Sequence, residues 1–230
     1  MIEEPKTLTI KRPDRRPTPD QIAAFQGAPT SFVTDAMDGK SALDMAIRPL
    51  APDHLPGHVA GPALTAGNSP GDIMATLAAL NFIQEGDVVI AAFGGHRGCA
   101  AAGDRVSAMM KNCGAAGFVT DGPMRDWDGI VAAGLPCWCT GLNPNSPFTT
   151  GPGNVGLPIQ IGGHRVETGD MIVADRDGVV VVPFDQIPAV AERLAKVREL
   201  EMALDAELSA GLKIPDGVKA LIEGDGVEFV

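Results

Sequence analysis

The stretch that most restricts the fold runs from position 88 to position 120. Val88-Val89-Ile90-Ala91-Ala92 is an uninterrupted apolar run of the kind a strand shows when both of its faces are buried. A loop, Phe93-Gly94-Gly95-His96-Arg97-Gly98, follows it, then a helical stretch to about Cys113, then a second run, Gly117-Phe118-Val119-Thr120. Strand, helix and strand in that order make a βαβ unit. Its crossover is right-handed, so the two strands are parallel and their carboxyl ends open on the same edge of the sheet. Residues 128–133, as a short helix, and Leu135-Pro136-Cys137-Trp138-Cys139, as a strand, predict a third repetition. The fold class that follows is α/β.

The rest of the chain is read around this centre. Residues 1–18 are charged and Pro-rich without periodicity, and are expected to form an arm over the surface or onto a neighbouring subunit; residues 19–230 form one domain. Two short helices are predicted at residues 19–26 and 30–37, the second capped by Thr30 or Ser31. Strands are expected at 47–50 and 58–65, and a helix at 71–83. Residues 141–156, rich in Asn, Pro, Ser, Thr and Gly, make a loop longer than an ordinary connection, either functional or flexible. Strands at 157–161, 171–174 and 179–182 follow, the last two joined as a hairpin by Asp175-Arg176-Asp177-Gly178. Residues 187–212 read as a helix with Ile187, Val190, Leu194, Val197, Leu200, Leu204 and Leu208 on one stripe. One small core cannot cover so long a stripe, so part of this C-terminal helix is expected to pack on a partner subunit.

Charge and composition narrow the function. The chain carries 18 Lys and Arg against 29 Asp and Glu, a net charge of −11, which repels phosphate backbones and anionic lipid. No nucleic-acid or membrane role is therefore expected. The chain has no apolar run of membrane-spanning length and no apolar signal core at its start, so a cytoplasmic location is expected. Aromatic residues make up 4% of the chain and Tyr is absent, which leaves the core to aliphatic side chains. The four cysteines form no CxxC pair and read as reduced thiols; His96-x-x-Cys99 is the one spacing that suggests zinc.

Ligands of parallel sheets gather outside the carboxyl ends of the strands, where two loops of this chain arrive together. The first ends in Gly103-Asp104-Arg105-Val106 at a helix start, where free backbone N–H groups suit a carboxylate or phosphate. The second, Asp121-Gly122-Pro123-Met124-Arg125-Asp126, sets a permanent cation beside a carboxylate. Such an Arg binds a substrate carboxylate bidentately, and such an Asp holds a divalent cation that polarises a carbonyl. His96 is a further candidate because of its loop, whereas His54, His58 and His164 read as surface residues and Asp175 and Asp177 as turn residues. The strand, glycine loop and helix follow the dinucleotide-binding plan only superficially, because Gly94-Gly95-x-x-Gly98 lacks the G-x-G-x-x-G spacing.

These residues also carry a resemblance. Gly86-Asp87-Val88-Val89, Ala100-x-x-Gly103 and Gly117-Phe118-Val119-Thr120-Asp121-Gly122-x-x-Arg125-Asp126 resemble the family of 4-hydroxy-4-methyl-2-oxoglutarate / 4-carboxy-4-hydroxy-2-oxoadipate aldolases. Thr30-x-x-Val33-x-Asp35-Ala36, Ala60-Gly61-Pro62-Ala63-x-Thr65, Gly151-Pro152-Gly153 and Gly169-Asp170-x-x-x-Ala174-Asp175-x-Asp177-Gly178 extend the likeness over about residues 30–185. That family shares its fold with the regulator of ribonuclease E activity A, so the resemblance implies an RraA-like layered α/β/β/α sandwich. Asp104, twenty intervening residues and then Arg125-Asp126 match the aldolase pattern rather than that of the non-catalytic regulators, which bind a partner protein.

The resemblance implies that the backbone of residues 103–106 (Gly103, Asp104, Arg105, Val106) binds the pyruvyl carboxylate and that Arg125 binds near the keto oxygen. It also implies that Asp126 ligates Mg²⁺ or Mn²⁺ and that Asp104 holds a water of that cation. The implied reaction is cleavage of a 4-hydroxy-2-oxo acid to pyruvate and a keto acid, with oxaloacetate decarboxylation as a side activity. The implied assembly is a homotrimer or dimer of trimers, with a further carboxylate from an adjacent subunit, for which Glu192, Glu199 and Glu201 are the candidates. Lys111 is the residue a Schiff-base mechanism would use, and its place late in an amphipathic helix argues against that. The loops at 96–99, 68–71 and 144–148 are individual to this chain and are expected to reshape the pocket.

Overall fold

In the computed structural model, which describes residues 6–224 and 226–229, the elements follow in this order. They are β1 (Leu8–Ile10), α1 (Pro19–Phe25), α2 (Thr30–Asp35), β2 (Arg48–Leu50), β3 (Val59–Asn68) and α3 (Met74–Ala79). The centre contains β4 (Val88–Ala92), α4 (Asp104–Asn112), β5 (Gly117–Thr120), α5 (Trp127–Ala133) and β6 (Cys137–Cys139). The chain closes with β7 (Gly153–Val155), β8 (Ile159–Ile161), β9 (His164–Val166), β10 (Met171–Ala174), β11 (Val179–Val182), α6 (Ile187–Ser209) and α7 (Asp216–Ile222).

The expected repetition is present: β4 pairs parallel with β5 and β5 with β6, in the sheet order β1-β7-β3-β4-β5-β6-β2. Strand β3 belongs to two sheets. Residues 59–62 pair antiparallel with β10, and residues 63–67 pair parallel with β4. Gly61, at the changeover, lies so close to the Gly86 carbonyl that no side chain would fit there.

Strand alternation then separates the layers. Ile172 and Ala174 of β10 and Val179 and Val181 of β11 turn inward onto Val88, Ile90, Val119 and Trp138 of the central sheet. The intervening Met171, Val173, Val180 and Val182 face Phe25, Val33, Ile187, Val190 and Leu194 of the helices α1, α2 and α6. On the other face of the central sheet, Val89, Ala91 and Phe118 meet Ala75, Val106, Met110 and Ile130 of α3, α4 and α5. The result is an α/β/β/α sandwich, as expected; its core is mainly aliphatic, but the few aromatics are not left out of it, since Phe25, Phe93, Phe118 and Trp138 are fully buried there. The rare aromatic Trp138 is fully buried and donates its indole N–H to the Asp175 carbonyl at 2.8 Å.

Several boundaries differ from the sequence expectation for identifiable reasons. Helix α2 starts at Thr30 and is capped from across the fold: the Asp175 carboxylate accepts the Thr30 N–H at 2.8 Å and its hydroxyl at 2.7 Å. Helix α3 begins only at Met74, because Gly71 turns the chain at φ 82° and Asp72 accepts the Met74 N–H at 2.7 Å. Helix α6 buries Ile187, Val190 and Leu194, while Leu200, Leu204 and Leu208 of the same stripe stay exposed in this chain. The arm is tied to its own chain: β1 pairs parallel with β7, Arg15 bonds Glu167 and Asp170, and Arg16 bonds the buried Asp87. Residues 1–5 of the arm lie outside the described residues. Among the described residues no helix is long and apolar enough to cross a membrane.

The Asp175 cap has a measurable consequence. Asp175→Ala removes the acceptor of two α2 groups and of the Asp177 N–H in the hairpin turn. Urea unfolding is expected to show a loss of about 1–2 kcal/mol, the usual cost of a deleted helix cap.

Candidate active site

Beyond the sheet, the loops that leave β4, β5 and β6 run side by side. Ala102 bridges Met124, and Met124 bridges Leu142, both in parallel register. Asp121, at the end of β5, accepts the N–H groups of Phe93 at 2.5 Å and Gly95 at 2.8 Å, which clips the loop after β4 to the loop after β5. The Ala101 N–H to Pro123 carbonyl bond at 2.7 Å and the Arg125 N–H to Ala102 carbonyl bond at 3.1 Å continue that seam. Gly103 and Arg125 thereby become neighbours although the whole of α4 and β5 separates them in sequence.

The seam ends in a cleft of about 420 Å³ lined by Gly103, Asp104, Arg105, Val106, Arg125 and Asp126. All six residues expected from the sequence therefore line one cleft. Gly103 precedes the first turn of α4, and its carbonyl accepts the hydroxyl of the buried Ser107 at 2.9 Å. The first N–H groups of a helix lack intrahelical partners and carry the positive end of its dipole. Asp104 bends back, its Oδ1 accepting the Arg105 N–H at 2.6 Å while its Oδ2 lies over Gly129 of α5. Arg125 is held on two sides, by Asp126 Oδ2 at 3.3 Å from Nε and by Ser146 Oγ, which accepts from Nη1 at 2.6 Å. Among the described residues Ser146 and Asp126 are its side-chain partners, and a guanidinium so held can still present a two-pronged donor face to the cleft.

Asp126 stands at φ 63° and ψ 51°, a left-handed conformation that costs a non-glycine residue about 1–2 kcal/mol. This backbone turns its carboxylate back onto Gly103. A β-carbon at position 103 would lie 2.6 Å from Asp126 Oδ2 and 3.1 Å from Arg125 Cγ. Because that carbon is missing, open space remains beside the carboxylate. The carboxylates lining the cleft, Asp104 and Asp126, are hard oxygen donors of the type Mg²⁺ and Mn²⁺ accept while keeping several waters. Among the described residues no group of three or more His, Cys, Asp or Glu side chains is close enough to make a cage, so the zinc spacing of His96 and Cys99 gains no third ligand.

The other candidates lie elsewhere. The His96 ring stacks edge-on against Phe93 at 5.6 Å and sits over Gly71 and Gly98, outside the lining of the cleft. Lys111 is exposed in the last turn of α4, without the burial that makes a lysine nucleophilic. Glu192, Glu199 and Glu201 ride on α6, which packs on the opposite helical layer, and none lines the cleft of its own chain. Cys99, Cys137 and Cys139 are buried, and burial raises their thiol pKa values, which keeps them protonated and inert at neutral pH.

Three further residues belong to the site without a local mark in the sequence: Ile73, which reads only as part of an apolar helix face, and Ser146 and Pro147 of the long loop. Ile73 and Pro147 complete the lining, and Ser146 touches Arg125. The long loop that carries the last two is anchored at both ends. Asn143 and Asn145 donate through Nδ2 to the carbonyls of Arg97 at 2.7 Å and Gly98 at 2.9 Å. At the far end, Asp72 Oδ2 accepts the N–H groups of Thr150 at 2.6 Å and Gly151 at 2.9 Å. Burial raises the Asp72 pKa, but its hydrogen bonds from Met74, Thr150 and Gly151 outweigh that and hold its carboxyl below the ordinary range.

The family model described as RraA-like, Aldolase/RraA, matches residues 30–181. A Halalkalibacterium halodurans protein named "Putative 4-hydroxy-4-methyl-2-oxoglutarate aldolase" is 37% identical over 83% of this chain and 89% of its own length. The structure of Streptomyces coelicolor RraAS2, described as an unusual member of the RNase ES inhibitor RraA protein family, superposes with a TM-score of 0.72 at 28% identity. It covers 84% of this chain and 100% of that one. A Pseudomonas syringae protein of 23% identity has the same fold, with a TM-score of 0.75 over 86% of this chain and 96% of its own.

Two outcomes follow from this geometry. Gly103→Ala is expected to displace Asp126 and Arg125, seen as shifted NMR resonances of those two residues, while the thermal midpoint moves by no more than a few degrees. Asp72, with its pKa lowered on folding, stabilises the loop at every pH above its unfolded value, and that contribution is lost as pH falls through the folded value. The protection factors of the Thr150 and Gly151 amides should therefore hold at pH 5 and fall only as pH drops below the ordinary carboxylate range; in Asp72→Asn they should be low already at pH 7.

Proposed function

The chain belongs to the RraA-like family, and on that premise we propose that it is a divalent-cation-dependent aldolase that cleaves a 4-hydroxy-2-oxo acid to pyruvate and a second 2-oxo acid. The observation that supports this most is the convergence of the α4 amides, Arg125 and Asp126 on one cleft beside a glycine that keeps it open. The 37%-identical relative with an aldolase name points the same way.

In this reading the substrate's C1 carboxylate sits at the first turn of α4, where backbone N–H groups and Arg105 favour an anion. Asp126 would hold Mg²⁺ or Mn²⁺, and the cation would polarise the C2 carbonyl. Arg125, fixed by Ser146 and Asp126, places its guanidinium where negative charge grows on the C2 oxygen as the C3–C4 bond breaks. The C4 hydroxyl proton leaves toward Asp104, the cleft carboxylate not engaged with Arg125, while the bonding pair moves into the pyruvate enolate. Protonation of the enolate at C3, by the proton held at Asp104 or by one exchanged with water, completes pyruvate and returns Asp104 to its ionised form. Oxaloacetate yields the same enolate on losing carbon dioxide, so its decarboxylation belongs to the proposal as a side activity. A homo-oligomer, a trimer or dimer of trimers, also belongs to it, supported by the exposed half of the α6 stripe.

The test is pyruvate release from 4-hydroxy-4-methyl-2-oxoglutarate and related acids, with Mg²⁺ and after chelation. Cation-dependent release is expected, and Arg125→Lys should lower kcat/KM at least about 100-fold, because the ammonium cannot replace a two-pronged donor. Full activity after chelation would overturn the cation-dependent mechanism. No turnover of any such acid, together with a stable protein partner in pull-down, would favour a regulator.

A further inference from the structure

Resting on the aldolase reading of the cleft, we infer that Gly129 of α5 is a positioning residue of the reaction: the absence of a side chain there lets Asp104 and the first turn of α4 seat against α5 and face the cleft together with Asp126. A β-carbon at position 129 would lie 2.5 Å from Asp104 Cβ, 2.8 Å from its Oδ2 and 3.0 Å from its Cγ. The nearest of these atoms is the root of the side chain, so turning the carboxylate aside does not relieve the contact. The backbone that starts α4 has to move. Nothing in α5 itself asks for glycine at this point. Gly134, which ends the helix, stands at φ 72°, where other residues are strained, but Gly129 lies inside the helix without the positive φ that favours glycine. Alanine is the better helix former there. The glycine answers to the neighbouring helix.

The contact is one half of a reciprocal arrangement. Asp126 stands immediately before α5 and lays its Oδ2 over Gly103, which stands immediately before α4; Asp104, the first residue of α4, lays its Oδ2 over Gly129 in the first turn of α5. Each helix start receives the carboxylate of the other in a space that a missing β-carbon leaves. The Asp126 side chain makes no cap hydrogen bond to its own helix, so this docking and Arg125 set its direction. Deeper in, Val106 and Met110 of α4 and Ile130 of α5 share one core cluster, with Met110 and Ile130 fully buried, which keeps the two helices from parting. A methyl group added at position 129 is therefore absorbed at the cleft, by Asp104 and the first turn of α4. In the proposed reaction that turn receives the C1 carboxylate and Asp104 the C4 hydroxyl proton, while Asp126 is the cation ligand. A shift on the order of 1 Å among groups that act on one substrate lowers turnover steeply. Gly129 does not line the cleft itself and acts through these neighbours.

The experiment uses the full chain with Gly129→Ala, with Asp104→Gly and with both. In Gly129→Ala, kcat/KM for 4-hydroxy-4-methyl-2-oxoglutarate with Mg²⁺ is expected to fall at least about tenfold, with the larger part of the loss in kcat, while the thermal midpoint moves by no more than a few degrees. Mn²⁺ binding without substrate, followed by electron paramagnetic resonance, reads the displacement independently of turnover. Gly129→Ala should weaken it at least about tenfold in the wild-type background. Asp104→Gly removes the β-carbon that the new methyl group meets, so adding Gly129→Ala to it should weaken Mn²⁺ binding no further. Equal losses from Gly129→Ala in both backgrounds would mean an effect that does not run through Asp104 and would overturn the inference, as would a Gly129→Ala protein with wild-type turnover. A Gly129→Ala protein that does not fold also overturns it, because the glycine would then serve the packing of the whole domain. In all three cases a wild type that releases pyruvate leaves the aldolase reading standing. A wild type that cleaves no 4-hydroxy-2-oxo acid removes the aldolase reading and this inference with it.

Discussion

The close approach of Asp126 to Gly103 is the constraint on which the cleft depends. Two loops from successive βα units must touch there, and only a missing side chain lets the Asp126 carboxylate and the Arg125 stem come so near the start of α4. The left-handed backbone at Asp126 is the cost of that approach, and the seam of Ala101, Ala102, Pro123 and Arg125 hydrogen bonds holds it in place. Strain of this kind persists only where the surroundings over-determine it. Asp121 adds to that rigidity from below by bonding Phe93 and Gly95.

The sandwich supplies the platform. Strand β3 passes from one sheet to the other, so the central sheet is covered by β10 and β11 on one face and by α3, α4 and α5 on the other, leaving its carboxyl edge open. The charge of the whole molecule, −11, opposes the anionic substrate of the proposed reaction, so attraction would have to be local. Arg105, Arg125 and the amino end of α4 supply it within the cleft. In the proposed reaction a cation at Asp126 reverses the local field further.

What the sequence made legible follows from range. The βαβ centre is written in contiguous apolar runs, and the site residues 103–106 and 125–126 fall at strand ends that the topology brings together, so local reading finds both. Partners distant along the chain leave no local mark. Ser146 meets Arg125 across 21 residues, Asp72 meets Thr150 across 78, and Asp175 caps Thr30 across 145. Strand β1 escaped notice because a three-residue edge strand in a charged, Pro-rich arm shows no alternation. The stripe of α6 was legible as a stripe, but its own core reaches only as far as Leu194 at full burial.

The central claim is that the cleft stabilises the enolate of pyruvate. Its most direct measurement needs no knowledge of the second product: proton NMR of pyruvate in deuterium oxide with the protein and Mg²⁺, following the methyl resonance. The account requires that resonance to fade as deuterium enters, at a rate proportional to protein, abolished by chelation and strongly slowed in Arg125→Lys. A methyl signal that stays constant with saturating protein, cation and pyruvate would contradict it.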